Sequence, residues 1–420
     1  MCDQLNSFFS NILEDMLSAY RKKYSCNNVL VKCVEDWRSA LDKNLTTGCV
    51  MMDLSKAFDC LPHGLLLAKL HAYGISSEAC SLIKSYLQNR QQRVKVSGSY
   101  SSWNHVKQGV PQGSLTGPLL FNIFMNDLFY FLKNVTVYNY ADDNSLSVCN
   151  VDPYAVREIL KKESELAVKW FENNFMQANP DKFQYIVLSR RDVNVISEIN
   201  ICGNLIQSIE NVKLLEVIFD EKLNFNKHTT QLCAKASRQL CVLQRLSSIL
   251  DAKSKLLIFD TFIMSNFSYC PVVWHSCRNE HSSMMEKIQK RAIRFVCNDF
   301  TSDYKELLRI CNRPMLHSYL NQQKLFQAYK ILHKLAPPIP LEFYTLKDQS
   351  YNMRQQYVLK KPYFDTIRYG FNSFKYQSIL LWNRLPNDMK VIKKFSNFKN
   401  AIQTWDGWKC ECGSCFTCMF

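Results

Sequence analysis

The segment Tyr138–Val148, YNYADDNSLSV, places two aspartates between two runs of apolar and strand-forming residues. Such runs on either side of a short polar stretch predict two strands joined by a tight turn. Asp142 and Asp143 are adjacent in this turn, and adjacent carboxylates repel each other. They therefore fit either an ordinary solvated turn or a site where bound cations remove the repulsion. The second alternative constrains the fold more, because cations need further ligands from elsewhere in the chain.

A third acidic residue, Asp53, follows the short apolar run TTGCVMM, which predicts a buried strand. If this strand lies beside the 135–148 hairpin, all three aspartates meet at one edge of a sheet. Three carboxylates in such a position would bind two divalent ions about 4 Å apart, the arrangement that serves nucleotidyl transfer. Two neighbouring strands would then create a two-metal site.

The remaining pattern predicts an α+β fold, because strands and amphipathic helices are mixed in the first half of the chain. One long apolar segment predicts a helix that opens near Ser114. The chain becomes mostly helical beyond residue 225. The other predicted helices are 27–42, 62–72, 76–88 and 153–174. The other predicted strands are 93–98, with 106–110 as its expected pairing partner, and 183–189.

Composition and charge limit the classes of partner that the chain is expected to bind. The 420 residues suffice for two or three domains, and the formal net charge of +15 favours a polyanion. Nucleic acid is the first choice and an anionic membrane surface the second. No apolar run approaches the roughly 18 residues of a spanning helix, so an intracellular protein is expected, in the cytoplasm or the nucleus. The 18 cysteines are scattered, many within apolar runs, which predicts reduced thiols.

Three motifs carry a family resemblance, and they stand in the order and spacing of a reverse transcriptase palm: MMDLSKAFDCLPHGLLLAKL, QGVPQGSLTGPLLFNIFMNDL and YADDNSL. The match is closest to the polymerases of non-LTR (LINE-type) retrotransposons. It implies a right-hand polymerase palm, an antiparallel sheet with helices behind it, with partial fingers and a helical thumb and C-terminal region. The implied domains are partial fingers (1–48), palm (49–190, with a fingers insertion at about 60–108), primer-grip hairpin and thumb start (191–250) and basic helical region (251–420).

The resemblance implies an RNA-directed DNA polymerase that extends a DNA primer on an RNA template with deoxynucleotides and two Mg²⁺ ions, for which Mn²⁺ can substitute. Asp53, Asp142 and Asp143 resemble its metal-binding catalytic triad. The backbone carbonyl of Leu54 resembles an additional metal ligand.

Other positions resemble residues that hold the nucleotide and the template. Phe58 would lie against the sugar and exclude a 2′-hydroxyl, although core packing is the alternative. Gln112 and Gly113 would contact the template and the nucleotide, or simply form the turn before the next helix. Arg21 would bind the triphosphate and Lys182 would assist pyrophosphate, and each has a solvated surface charge as its alternative.

Basic segments further along resemble surfaces for the duplex. VKLLEVIFD resembles the hairpin that grips the primer terminus, and 226–250 resembles the first thumb helix, with Lys235 and Arg238 toward the duplex backbone. The helix face 287–294 is also basic. Residues 351–400 contain ten Lys/Arg and two Asp among aromatic residues, a composition that suits nucleic acid or a merely solvated surface.

Two features depart from the family. The family has glycine where this chain has Glu216, and LINE-type elements carry an endonuclease and complete fingers upstream of the point where this chain begins. The resemblance therefore implies an N-terminally truncated copy, and the alternative function is an impaired remnant that only binds RNA or DNA. Zinc is not expected at the C-terminal cysteines, because no histidine follows them and their spacing lacks separated pairs. These cysteines are Cys410, Cys412, Cys415 and Cys418.

Overall fold

A computed structural model describes the greater part of the chain, namely residues 23–192, 196–246, 248–276, 279–337, 344–347 and 357–405. The chain divides into two compact units. The first contains Asn44–Glu210 together with the chain up to Val29, and the second contains Leu30–Lys43 together with the chain from Asn211 onward. Within the described ranges, no helix combines the length and apolarity needed to cross a membrane.

The first helix within the described ranges, α1 (Cys26–Asp42), contributes to both units. The first unit then mixes short strands with helices, as an α+β fold requires. Its strands are β1 (Thr46–Met52), β2 (Leu54–Ser55), β3 (Gln91–Gln92), β4 (Lys95–Val96), β5 (Ser99–Tyr100), β6 (Asn104–His105), β7 (Thr136–Tyr140), β8 (Asp143–Asn150), β9 (Gln177–Ala178), β10 (Gln184–Leu188), β11 (Glu198–Ile201) and β12 (Asn204–Gln207). Its helices are α2 (His63–Ala72), α3 (Ser77–Leu87), α4 (Gly117–Met125), α5 (Leu128–Phe131) and α6 (Pro153–Asn173).

A four-stranded antiparallel sheet of order β10-β1-β8-β7 forms the centre of this unit. All residues of β1 are buried, which explains why this strand is apolar throughout instead of alternating. The sheet and its helices share one hydrophobic cluster, whose largest fully buried side chains include Phe121, Phe124, Phe171 and Tyr185. The predicted α+β fold with an antiparallel sheet is confirmed, and the helices predicted over 27–42, 62–72, 76–88 and 153–174 are present within one or two residues.

The predicted pairing of strand 93–98 with 106–110 is wrong. Instead, β4 turns back onto β5, and β3 pairs with β6. Ser97 and Gly98 have φ angles of 48° and 89°, and positive φ at both central residues produces the tight two-residue hairpin turn that matches strand twist. The Ser-Gly pair therefore ends the strand two residues earlier than its alternation suggested.

The helix predicted to open at Ser114 also begins later, at Gly117. Pro118 explains this start, because proline lacks an N–H and fits only the first turn of a helix. Ser114 still supports the helix, since its Oγ accepts a hydrogen bond from the Gly117 N–H at 2.9 Å and donates one to the Pro111 carbonyl at 2.7 Å. The predicted single helix is in fact two, because α4 ends at Met125 before α5 begins.

The second unit is mostly helical and contains one β-hairpin at its start. The hairpin consists of β13 (Asn211–Leu214) and β14 (Val217–Asp220). The helices are α7 (Asn226–Leu246), α8 (Ala252–Ile258), α9 (Ser265–Ser268), α10 (Pro271–Trp274), α11 (Asn279–Cys297), α12 (Tyr304–Ile310), α13 (Leu316–Leu332), α14 (Phe374–Arg384), α15 (Asn387–Lys390) and α16 (Phe395–Thr404). The predicted thumb helix thus ends at Leu246 and not at residue 250.

The N-terminal helix α1 is fixed to the C-terminal helices by buried polar contacts. The Glu35 carboxylate accepts the backbone N–H groups of Phe374 (2.7 Å) and Lys375 (3.0 Å) at the start of α14. Burial raises the pKa of Glu35, and the Arg38 guanidinium beside it opposes this rise. Arg38 in turn donates to the Asn372 carbonyl. Leu30–Lys43 therefore belongs with residues more than 300 positions later in the chain.

The turn between β13 and β14 contains the residue that departs from the family. Leu215 and Glu216 have φ angles of 45° and 65° and connect the paired residues Leu214 and Val217. A side chain in the left-handed region costs about 1–2 kcal/mol, whereas glycine adopts it freely. Glu216 therefore strains a turn in which the resemblance expects glycine.

We expect Glu216→Gly to raise the free energy of unfolding of the second unit by about 1 kcal/mol. The ion pair that would be lost, between Glu216 and Lys213 at 2.7 Å, is solvent-exposed and contributes little. Denaturant unfolding of the full chain measures the change. Glu221→Gly, which also removes a partly exposed carboxylate but relieves no positive φ, should give no increase. A lower stability for Glu216→Gly would contradict this account.

A close contact joins the segment after Asp53 to the chain that leaves the β3–β6 hairpin. The Gly109 N–H donates to the Leu61 carbonyl at 2.7 Å, and the Val110 N–H donates to the Phe58 carbonyl at 2.9 Å. Gly109 has a φ of 83°, and a Cβ added there would lie 2.7 Å from the Cα and carbonyl oxygen of Asp59. Only glycine allows this approach.

We expect Gly109→Ala to destabilise the first unit by about 3 kcal/mol, because backbone strain and a clash with a rigid backbone add together. Gly98→Ala is a matched control, since Gly98 has a φ of 89° and nothing within 4 Å of an added Cβ. It should cost about 1 kcal/mol from strain alone. Equal losses in thermal or denaturant unfolding would show that the contact with Asp59 contributes nothing.

Candidate active site

The register between β1 and β8 brings two of the three predicted acids together. Met52, the last residue of β1, pairs with Asn144 of β8. Asp53 and Asp143 are the next residues toward the same end of these antiparallel strands, so they occupy facing positions. Facing residues on neighbouring strands have Cα atoms about 5 Å apart. The two carboxylates therefore project from the same end of the central sheet.

The third acid lies in the tight turn between β7 and β8. Tyr140 pairs with Asp143, which leaves Ala141 and Asp142 as a two-residue loop. Ala141 has a φ of 58°, a left-handed conformation that costs a residue with a side chain about 1–2 kcal/mol. Strained backbone of this kind concentrates at functional sites. Asp142 is half-buried and Asp143 is exposed.

Two buried asparagines hold this turn, and sequence reasoning missed them. The Asn139 side-chain amide donates to the Ala141 carbonyl (2.9 Å) and to Oδ1 of Asn144 (2.8 Å). The Asn144 amide donates to the Asp142 carbonyl at 2.9 Å. Asn139 and Asn144 are 1% and 2% exposed, so these bonds are shielded from water. The available signal was a pair of amides flanking YADD in otherwise strand-like runs.

Asp53 faces a cation. The Lys182 ammonium lies 3.0 Å from Oδ2 of Asp53, and both side chains are partly exposed. The approach is set by the backbone, because the Asn179 N–H donates to the Asp53 carbonyl at 3.1 Å and Leu54 pairs with Ala178 of β9. An exposed ion pair of this kind is worth less than about 1 kcal/mol. It is therefore easily exchanged for a stronger cation.

The chemistry of these donors fits a hard divalent ion, because carboxylate oxygens are the ligands that Mg²⁺ prefers. Among the side chains that the structure describes, no three His, Cys, Asp or Glu groups already converge as a complete metal site. The strand register and the tight turn bring the backbone positions of the three aspartates to one end of the sheet. The C-terminal cysteines Cys410, Cys412, Cys415 and Cys418 lie outside the described residues.

Two predicted residues follow Asp53 directly. Leu54 has a buried side chain and belongs to the short strand β2, so only its backbone is available for a ligand role. Phe58 is half-buried and stacks on the buried ring of Phe121, with 4.4 Å between ring centroids. Phe58 thus combines packing against the core with a partly accessible ring, and the two predicted readings are compatible.

The Pro-Gln-Gly-Ser loop approaches the same segment. The Gln112 amide donates to Oδ1 of Asp59 at 2.9 Å. Gly113 has a φ of 80° and no atom within 4 Å of an added Cβ, so the turn conformation and not crowding requires glycine here. Both residues are exposed. Arg21, the predicted triphosphate ligand, lies outside the described residues.

The second unit carries its own exposed basic residues. Lys235 and Arg238 are exposed on α7 and line a cavity of about 520 Å³ that also contacts Lys213. On α11, Lys287 and Arg291 are exposed, whereas Met285, Ile288 and Ala292 of the same helix are buried. Their predicted contact with a duplex stays a prediction.

Comparison with known proteins identifies the family of the chain. The family model described as "Reverse transcriptase (RNA-dependent DNA polymerase)" matches residues 1–228. The chain is 25% identical over 313 residues to "Probable RNA-directed DNA polymerase from transposon BS" of Drosophila melanogaster, which covers 70% of this chain and 34% of that protein. It is 27% identical over 289 residues to "RNA-directed DNA polymerase from mobile element jockey" of Drosophila funebris, covering 66% and 31%.

The chain thus spans about a third of the length of these curated relatives. Among solved structures, apo telomerase from Candida Tropicalis is similar at 13% identity and a TM-score of 0.40, covering 76% of this chain and 54% of that one. The resemblance to polymerases of non-LTR retrotransposons, stated from the three motifs, is confirmed by the family model and the relatives. The chain belongs to the reverse transcriptase family.

Proposed function

We propose that this chain is an RNA-directed DNA polymerase that extends the 3′-hydroxyl of a DNA primer with deoxynucleotides along an RNA template. Its family and the names of its relatives support this activity. The observation that carries the proposal is the register of β1 and β8, which sets Asp53 beside Asp143 next to the strained turn that holds Asp142. Reverse transcriptases use divalent metal ions, and we propose that this one uses two Mg²⁺.

The aspartates would hold these ions from three backbone positions. When bound, the ions lower the pKa of the attacking hydroxyl and neutralise the charge that develops on the leaving pyrophosphate. Asp53 and Asp143 contribute carboxylates from neighbouring strands, and Asp142 contributes one from the turn. The buried amides of Asn139 and Asn144 keep the turn in place, so little reorganisation is needed when substrate arrives.

Two further residues would act on the nucleotide. Lys182, whose ammonium contacts Asp53, would donate a proton to the leaving pyrophosphate. The partly accessible ring of Phe58 would lie against the sugar, where a 2′-hydroxyl would clash with it. Stacking on Phe121 makes this ring rigid, which a steric filter requires. Gln112 would contact the template strand or the nucleotide from the exposed loop.

We expect Asp143→Asn to lower primer extension on an RNA template by about a thousandfold, because an amide is a poor ligand for Mg²⁺. Removal of divalent ions with EDTA should abolish extension by the wild type, and added Mg²⁺ should restore it. Glu172→Gln, which neutralises an exposed carboxylate on α6, should keep full activity.

Equal extension by the wild type and Asp143→Asn would show that this site is not catalytic. The alternative is a remnant that only binds nucleic acid. It would be identified if the wild type and Asp143→Asn bind RNA equally tightly and neither extends a primer. The strained turn at Glu216 is the feature that favours this second function.

We expect Phe58→Ala to lower the preference for deoxynucleotides over ribonucleotides at least tenfold, because the clash with the 2′-hydroxyl is removed. The ratio of kcat/KM for the two nucleotide classes measures the preference. Phe131→Ala is the control, since it also removes a phenylalanine ring, but an exposed one on α5 with no proposed role at the sugar, and it should leave the ratio unchanged. If the ratio is unchanged in Phe58→Ala, Phe58 does not contact the sugar and its role is core packing alone.

A further inference from the structure

A hairpin in the first unit projects from the fold without a core of its own. This basic hairpin comprises residues 90–106, closed by a hydrogen bond from the Val106 N–H to the Arg90 carbonyl at 2.8 Å. Every residue from 91 to 105 is exposed. A two-stranded hairpin is marginally stable by itself, so its side chains must supply what holds it together.

Those side chains form a stack of cations and rings. The Arg93 guanidinium lies 4.0 Å from the ring centroid of Tyr100 and 4.6 Å from that of Trp103. The Lys95 ammonium lies 5.1 Å from the Tyr100 ring. Each such contact is worth about 0.5–1 kcal/mol at an exposed site. The stack orients both rings, yet Tyr100 remains 52% exposed and Trp103 56% exposed.

The charge around this stack has one sign. Between Glu78 and Asp127 the sequence contains five Lys/Arg and no Asp or Glu. Exposed Val94 and Val96, at 63% and 66%, add apolar surface beside the rings. The hairpin therefore presents cations that form no ion pair with any residue the structure describes, together with flat aromatic faces that water solvates poorly.

One class of partner satisfies both properties. An acidic protein surface would neutralise the cations but offers no stacked planes for the rings, and a duplex hides the faces of its bases. A single nucleic-acid strand has both a phosphate backbone and accessible base faces, and aromatic side chains in basic grooves bind such strands.

The hairpin is also firmly attached beside the candidate active site. Its exit leads into Gly109 and Val110, whose N–H groups bond to the carbonyls of Leu61 and Phe58. The Gln112 amide then bonds to Asp59. The hairpin is thus linked through backbone hydrogen bonds to the segment that follows Asp53.

We propose that the basic hairpin binds single-stranded nucleic acid, with bases stacked on Tyr100 and Trp103 and with phosphates paired to Arg93 and Lys95. That the bound strand is the RNA template rests on the proposed function. Binding of a single strand does not depend on catalysis.

The test measures the affinity of the full chain for fluorescent oligouridylate by anisotropy, in the Asp143→Asn background so that no synthesis occurs. Trp103→Ala should weaken binding about tenfold, and Trp103→Phe should restore most of it, because either ring can stack on a base. Arg93→Gln should lower the slope of log affinity against log salt concentration by about 0.7, the value for one lost phosphate contact on a single strand.

Tyr154→Ala is the matched control. Tyr154 is 51% exposed and lies under Arg157, but this arginine is paired with Glu158. The control should therefore bind like the parent. A second control, Gly98→Ala, strains the hairpin turn but keeps the rings and charges of the hairpin. It shows how far a strained turn alone weakens RNA binding, and its affinity should stay within about threefold of the parent.

Unchanged affinity in Trp103→Ala would overturn the proposal. So would a loss of self-association in Trp103→Ala with unchanged RNA affinity, because the surface would then contact a second copy of the chain. Failure of the proposed function looks different: the chain with Asp143 intact would not extend a primer, while the ranking of affinities among the hairpin variants would persist.

Discussion

The antiparallel register between β1 and β8 is the constraint on which the candidate site depends. β1 is buried along its whole length between β8 and β10, and side chains alternate between the two faces of a sheet. A slip of one residue would turn every β1 side chain to the opposite face and would separate Asp53 from Asp143. Burial on both sides therefore fixes the relative position of the two carboxylates. The apolar run that makes β1 a strand is also what positions a charge at its end.

Around this sheet end, local strain is balanced by buried polar contacts. Ala141 adopts a left-handed conformation that costs about 1–2 kcal/mol, and the hydrogen bonds of Asn139 and Asn144 to the turn carbonyls offset it. Two buried amides in a strand pair would be unfavourable without such partners. Because these buried amides stabilise the turn, Asp142 and Asp143 can lie next to each other. The strain at Glu216 is not offset in this way by any contact among the described residues, where its ion pair with Lys213 is exposed.

Sequence reasoning was most successful where a regular apolar pattern was followed by a residue that clearly ends a helix or strand. The helix over Cys26–Asp42 and the strand before Asp53 follow directly from apolar spacing. It failed where a single residue overrode the pattern: Ser97-Gly98 turned a predicted strand into a tight hairpin, and Pro118 delayed a helix to Gly117. The asparagines beneath the YADD turn were not predicted because they bond to backbone carbonyls. Every residue has such a carbonyl, so the sequence does not show which ones accept a side-chain hydrogen bond.

The sequence by itself determined the kind of elements, the motifs, the family and the excess positive charge, because these depend on residue type and local spacing. Only the tertiary structure decided which elements meet. It paired Met52 with Asn144 and set Lys182 against Asp53 across 129 positions. It also joined Glu35 to α14 across 339 and clustered Arg93 with Tyr100 and Trp103 on an exposed hairpin. Such contacts arise from packing and turn geometry over long separations, and local preferences do not specify them.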